Sequence, residues 1–245
     1  MLSLDKLYTQ LSYAEKNGLL DGLNSIYGGL PETVCERCGT CCTVPPPAYI
    51  VEYLNMFRYM KNSLGEKEIQ DIVGKAVRFY FLELVDINLK CPFLGDDNLC
   101  LVYPARPLSC RGYGLSKKEG RLPENNEMKE LAERYKRDHG ITLPEEIVNY
   151  KLPECGRVKT VDGKKYSNEA LEVAISYIAR LESQIFPVEL VEREYTFVPY
   201  VTHLAVSVLP EGARMRRVKV MKEYLDKGNS QMLEGYIEKA RALSV

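Results

Sequence analysis

The sequence predicts a mainly α fold with a small β-hairpin, its helices packed around a loop-rich, cysteine-ligated metal site. Three observations carry that expectation. Most of the apolar residues recur at helical spacing. The strongest β-type pattern is a short stretch around residues 91–103. Between the helical segments lies an aperiodic run in which four of the eight cysteines fall within eight residues, Cys35 to Cys42.

Taken in order, residues 4–27 carry a discontinuous apolar stripe (Leu4, Leu7, Leu11, then Leu19, Leu20, Leu23) that Gly18 and Gly22 weaken, which fits one kinked helix or two short ones. Gly28-Gly29-Leu30-Pro31 ends it. The cysteine-rich run follows without periodicity, and Pro45-Pro46-Pro47 forbids helix before about Ala48. From there to Lys61, Tyr49, Ile50, Tyr53, Leu54 and Phe57 mark a core helix. A second helix spans about 66–85.

Residues 91–103 read as a hairpin, with Gly95-Asp96-Asp97-Asn98 as residues that tolerate positive φ and apolar flanks on both sides. Pro104 and Pro107 make a rigid corner leading to Cys110. Lys117 to Asn126 is a polar loop, and residues 127–139 a charged helix closed by Gly140. Residues 151–165 are irregular and mark the expected boundary between a cysteine-cluster domain (1–160) and a C-terminal helical region (161–245) packed on it. Beyond it a helix capped by Ser167 or Asn168 runs to about Phe186. Residues 195–209, β-branched, aromatic and broken by Pro199, read as strand or extended loop. Two amphipathic helices close the chain, at about 213–226 and 230–243.

A formal net charge of −1 provides no global field for nucleic acid or an anionic membrane. The longest apolar runs are too short to span a bilayer, and no signal peptide is evident. A cytoplasmic location is expected, where thiols stay reduced and clustered cysteines serve as metal ligands or redox groups. With only two histidines, His139 and His203, a metal site must be built almost wholly from thiolates. No phosphate-binding loop or dinucleotide fingerprint is present. The basic stretch from Arg214 to Lys222 reads as a solvated helix face.

Cys35, Cys38 and Cys41 form C-x2-C-x2-C, a spacing that offers three thiolates to three corners of a cubane iron–sulfur cluster, with Cys91-Pro92 as a distant Cys-Pro pair. The same residues could supply part of a tetrahedral zinc site. Cys91, Cys100 and Cys110 complete the site across the hairpin and the proline corner. Cys42 follows Cys41 directly, and adjacent residues are expected to face different surroundings; the eight cysteines, Cys155 the last of them, would satisfy two four-thiolate sites or one site with spares. Four thiolates on zinc or on a cubane leave a net charge near −2, which buried arginines offset. Arg106 and Arg111, and less directly Arg37, are the candidates.

The run Cys35-x2-Cys38-x2-Cys41-Cys42, then Cys91-Pro92-Phe93-Leu94 and Cys100-x2-Tyr103-x2-Arg106-Pro107-x2-Cys110-Arg111, resembles the YkgJ-like cysteine-cluster proteins. Cys155-Gly156 fits as a late element. The resemblance covers about residues 33–115 and implies a zinc- or iron-chelating domain, often labelled an iron–sulfur oxidoreductase. One branch is similar to flagellin lysine N-methylases, but no residue here carries that role specifically. The expected cofactor is a [4Fe-4S] cluster in a redox or cluster-dependent enzyme, with an unidentified redox or protein partner. Zinc in a structural module that mediates protein interaction is the alternative, and lysine N-methylation a further one.

Overall fold

The computed structural model describes residues 2–115, 126–151, 155–163, 167–186 and 197–243. The fold is mainly α. Helices α1 (Leu4–Lys16) and α2 (Leu19–Gly28) are the two short helices that the N-terminal stripe permits. Gly18 separates them with a left-handed φ of 68°, a turn that a side chain would strain. Strands β1 (Thr33–Val34) and β2 (Pro47–Ala48) then bracket the cysteine loop, which contains one 3-10 turn at Thr40–Cys42.

The central pair is α3 (Ile50–Ser63) and α4 (Glu66–Leu82). Helix α3 starts as soon as the prolines allow, and its first turn is held by two carboxylates. Glu52 reaches back to the Tyr49 amide (3.0 Å). Glu182, fully buried, accepts from the Ile50 and Val51 amides at 3.1 and 2.8 Å. Both therefore satisfy amides that a helix start leaves unpaired.

The hairpin shrinks to a single bridge, Leu94 to Cys100, closed by a turn in which Asn98 has φ 60°. Pro92 and Pro104 remove the ladder donors that would lengthen it, and the chain turns into a 3-10 segment at Tyr103–Ala105. The short helix α5 (Leu108–Arg111) carries Cys110. It is followed by α6 (Asn126–His139), with Gly140 at φ 65°, and by α7 (Glu145–Val148). The polar loop expected at 117–126 lies outside the described residues, apart from Asn126.

Strand β3 (Lys159–Thr160) pairs antiparallel with β1, and β4 (Val198–Pro199) with β2. Between them, α8 (Asn168–Glu182) is capped by Ser167, whose hydroxyl accepts from the Ala170 amide at 3.2 Å. It packs on α2 and α3.

Residues 200–208 correct the sequence expectation. Instead of a strand they form helix α9 (Tyr200–Val208), almost entirely buried against α3 and α4. Pro199 ends the extended segment and opens the helix with a pre-set φ, while burial overrides the β-preference of Val201, Val206 and Val208. Helices α10 (Arg217–Lys227) and α11 (Gln231–Arg241) complete the bundle on α4. Gly74 in α4 lets the Arg241 guanidinium lie against the helix; an added methyl group would displace that side chain.

Neither histidine lines the cysteine cavities. His203 is buried, with Nε2 3.1 Å from the Ala48 carbonyl oxygen and its ring stacked on Tyr53. His139 lies edge-on to Tyr135. Among the described residues, no helix is long and apolar enough to cross a membrane.

Candidate metal centre

All eight cysteines are free thiols. The loop that carries four of them has little repetitive structure, so local contacts set it. The Arg37 amide approaches Cys35 Sγ at 3.4 Å, the Cys38 thiol donates to Thr40 Oγ1 at 3.2 Å, and the Cys42 amide bonds to the Gly39 carbonyl at 3.0 Å. Gly39 has φ 71° and lies against Asn98, where an added Cβ would come within 3.2 Å of Oδ1. The Cys91 amide donates to the Cys42 carbonyl at 2.6 Å, fastening the hairpin to the loop. Cys110 is positioned from α3: buried Glu52 accepts from the Leu108 amide and from the Tyr27 hydroxyl, both at 2.7 Å.

Two cavities share a wall. The larger, about 480 Å³, is lined by Cys35, Cys41, Cys42, Cys91, Cys100 and Cys110. The smaller, about 30 Å³, is lined by Cys35, Cys38, Cys41, Cys110 and Cys155. Cys35, Cys41, Cys110 and Arg106 therefore border both. The structure gathers all eight cysteines around these spaces, but Cys38 and Cys155 line the smaller one alone, and Cys42, Cys91 and Cys100 the larger one alone. Among the described residues, no three His, Cys, Asp or Glu side chains converge on a single point as a ready-made ion site. The sulfurs surround a volume.

Cys41 and Cys42, expected to face apart, have their sulfurs 3.8 Å apart. Their environments still differ. Cys41 is the thiolate of the pair, held below the usual thiol range first by the Cys42 thiol that donates to it and further by Arg106. Cys42 is pushed up by that same contact, then by burial and by the charges of Cys41, Cys91 and Cys100. Burial raises Cys91 to about 12 and also raises Cys100 and Cys110. Cys38 is lowered, first by the Thr40 hydroxyl and then by the Thr40 amide, both donating to its thiolate form, and further by Arg157.

The arginines divide their work. Arg106 donates through Nη2 to Thr33 Oγ1 (3.0 Å) and lies 3.9 Å over the Tyr103 ring, while its buried Nε has no partner. Arg111 donates to the Arg106 and Pro104 carbonyls and stacks on Tyr27 at 4.1 Å, which stiffens the proline corner. It also borders the smaller cavity, whereas Arg37 borders the larger. An orphaned guanidinium N–H beside an all-thiol donor set is the partner an anionic metal–thiolate group needs, so these residues fit a metal centre.

Residues 34–134 match the family described as CxxCxxCC, putative zinc- or iron-chelating domain. The match is to this segment alone. It covers about two fifths of the chain and holds seven of the eight cysteines, all but Cys155. The match supports a cysteine-rich domain of the zinc- or iron-chelating kind over that segment. No curated protein and no solved structure matches the chain.

Three site residues escape sequence reasoning. Tyr200, at the start of α9, has its hydroxyl 3.0 Å from Cys91 Sγ. Tyr113 and Arg157 line the smaller cavity with Cys155. Only Arg157 carried a signal, its place two residues after Cys155.

Proposed function

We propose that this centre holds a [4Fe-4S] cluster with a redox role, ligated by Cys41, Cys91, Cys100 and Cys110. The observation that carries the reading is that six cysteines, these four among them, line one cavity of about 480 Å³. A cubane asks for that arrangement, because each thiolate binds a different iron. The four chosen thiols sense one another: Cys110 feels the charges of Cys91, Cys100 and Cys41, and Cys91 those of Cys100 and Cys41. Arg106 Nε and the Tyr200 hydroxyl are the groups that would donate to ligand sulfur, offsetting its charge. When bound, such a cluster supplies one-electron transfer. Fourfold protein ligation leaves that as its chemistry, with a soluble redox or protein partner. Cys42 then serves as the thiol that donates to Cys41.

A structural zinc site is favoured by one distance. Zinc–sulfur bonds of about 2.3 Å place the sulfurs of a tetrahedral site roughly 3.8 Å apart, the spacing of Cys41 and Cys42. One preparation separates the two readings: purification without oxygen, an absorption spectrum, and assays of iron, zinc and acid-labile sulfide. The expected result is a brown protein bleached by dithionite, with iron and sulfide in equal amounts, both lost in Cys100→Ser. A colourless protein with stoichiometric zinc and no sulfide would sink the cluster reading.

A further inference from the structure

The larger cavity contains more than sulfur. We infer that it is also a binding site for a small organic carboxylate with an apolar or aromatic body, anchored by Arg37 at its rim. The inference rests on the metal-centre reading for the cysteine part of its lining. The cavity of about 480 Å³ is larger than a metal ion or a cubane core, so the apolar end away from the cysteines is left for a small ligand. A metal ion or an eight-atom cubane core does not call for the rest of its lining. Met56 and Tyr59 of α3 contribute to that lining, with Leu94, Leu101 and Val102 of the hairpin and the Tyr103 ring, a set suited to a ring or an alkyl chain.

Among the described residues, no Asp or Glu lines the cavity; its anionic groups are the thiolates, and Arg37 and Arg106 are its cations. Arg106 is already committed to Thr33, the Tyr103 face and the neighbouring thiolates. Arg37 is exposed, and its side chain makes no hydrogen bond or ion pair among the described residues. Its backbone sits at φ 56°. Together with Asn98 at φ 60°, it makes up the positive-φ non-glycine residues among those described, and both line this cavity. Left-handed backbone at a large residue costs energy that ordinary loops avoid, and it concentrates at ligand sites. Here it places Arg37, whose guanidinium fork suits a carboxylate, in the lining of the cavity.

The test uses the purified, metal-containing protein and two probes, 3-phenylpropanoate and its neutral amide. Binding is read by calorimetry and by the change in the visible absorption of the centre, and metal is assayed in every sample. The carboxylate is expected to bind about tenfold or more tightly than the amide, and Arg37→Gln to remove that preference with metal content unchanged. Arg37→Lys should keep most of the preference, and Leu101→Trp, which fills the cavity, should weaken both probes. Equal binding of the two probes, or no binding to fully metallated protein, overturns this site and leaves the metal reading standing. Protein that carries no iron or zinc overturns the metal reading instead, and the probe preference still decides the carboxylate site.

Discussion

Tyr200→Phe isolates one hydroxyl at the centre. Its oxygen lies 3.0 Å from Cys91 Sγ, and both residues are buried. With Cys91 a thiol, this is a neutral contact worth about 0.5–1.5 kcal/mol net. With Cys91 a metal-bound thiolate, the hydroxyl donates to a charged acceptor, worth about 1.5–3 kcal/mol. The difference, on the order of 1–2 kcal/mol, appears in metal affinity as a loss of roughly 5- to 30-fold, the scale on which such supporting partners act. The ring keeps its packing on Phe93 (centroids 5.6 Å apart), so the fold should survive. The assay is competition with a chelator of known affinity, with urea unfolding of the metal-free variant as control. On the cluster reading the reduction potential falls as well, because the lost bond favoured the more negative reduced state, by about 60 mV per tenfold change for one electron. Metal affinity equal to that of the unsubstituted protein, in a variant that folds normally, would refute the claim that Cys91 is a ligand supported by Tyr200.

Further outcomes concern the scaffold and pH. Glu182→Ala strands the buried Ile50 and Val51 amides at the start of α3 and should cost about 2–5 kcal/mol, read as a lower urea midpoint; a change below about 1 kcal/mol would remove this carboxylate from the account. In metal-free protein, Cys91 is raised from about 9 to about 12 by burial, so the folded state binds that proton more tightly than the unfolded chain. Its stabilisation is therefore complete below pH 9 and lost as pH rises through 12, about 1.4 kcal/mol of it between pH 8 and 10. Urea midpoints at those two pH values check the sign, and Cys100 and Cys110, also raised, add to it. Metal affinity should move the opposite way and strengthen with pH, since the ligands must shed protons to bind.

Much of the fold was legible in the sequence because most helices bury one face. The α1–α2 break at Gly18, the start of α3 after three prolines and the Ser167 cap all follow from local rules. Helix α9 was not legible for the converse reason. It is buried nearly all round, so it shows no amphipathic period, and its valines mimic a strand. Misreading it hid Tyr200. Glu182 was hidden too, because a glutamate at the end of a surface helix gives no sign that it will cap a neighbour. The cysteine spacing made the site legible but not its partition, since the sequence does not tell which side of Cys41 each sulfur will face.

That partition follows from two very short β pairings. The cysteine loop is flanked by β1 before it and β2 after it, each two residues long. Pairing of β1 with β3 draws in residues 159–160, which brings Cys155 and Arg157 to the smaller cavity. Pairing of β2 with β4 draws in residues 198–199, and the helix that starts immediately afterwards delivers Tyr200 to Cys91 in the larger one. Such pairs are too small to be stable alone. The second is held from outside, because β2 packs on α5 and runs into the start of α3 that Glu182 caps, while β4 packs on α9, so the helices position that end of the loop. Weakening that support at Glu182 should therefore loosen metal binding as well as the fold, whereas Tyr200→Phe should weaken metal binding with little effect on the fold. If Glu182→Ala lowered stability and left metal affinity untouched, the loop would be organised by its own sulfurs and the metal, and the β pairs would be a consequence of metal binding rather than its scaffold.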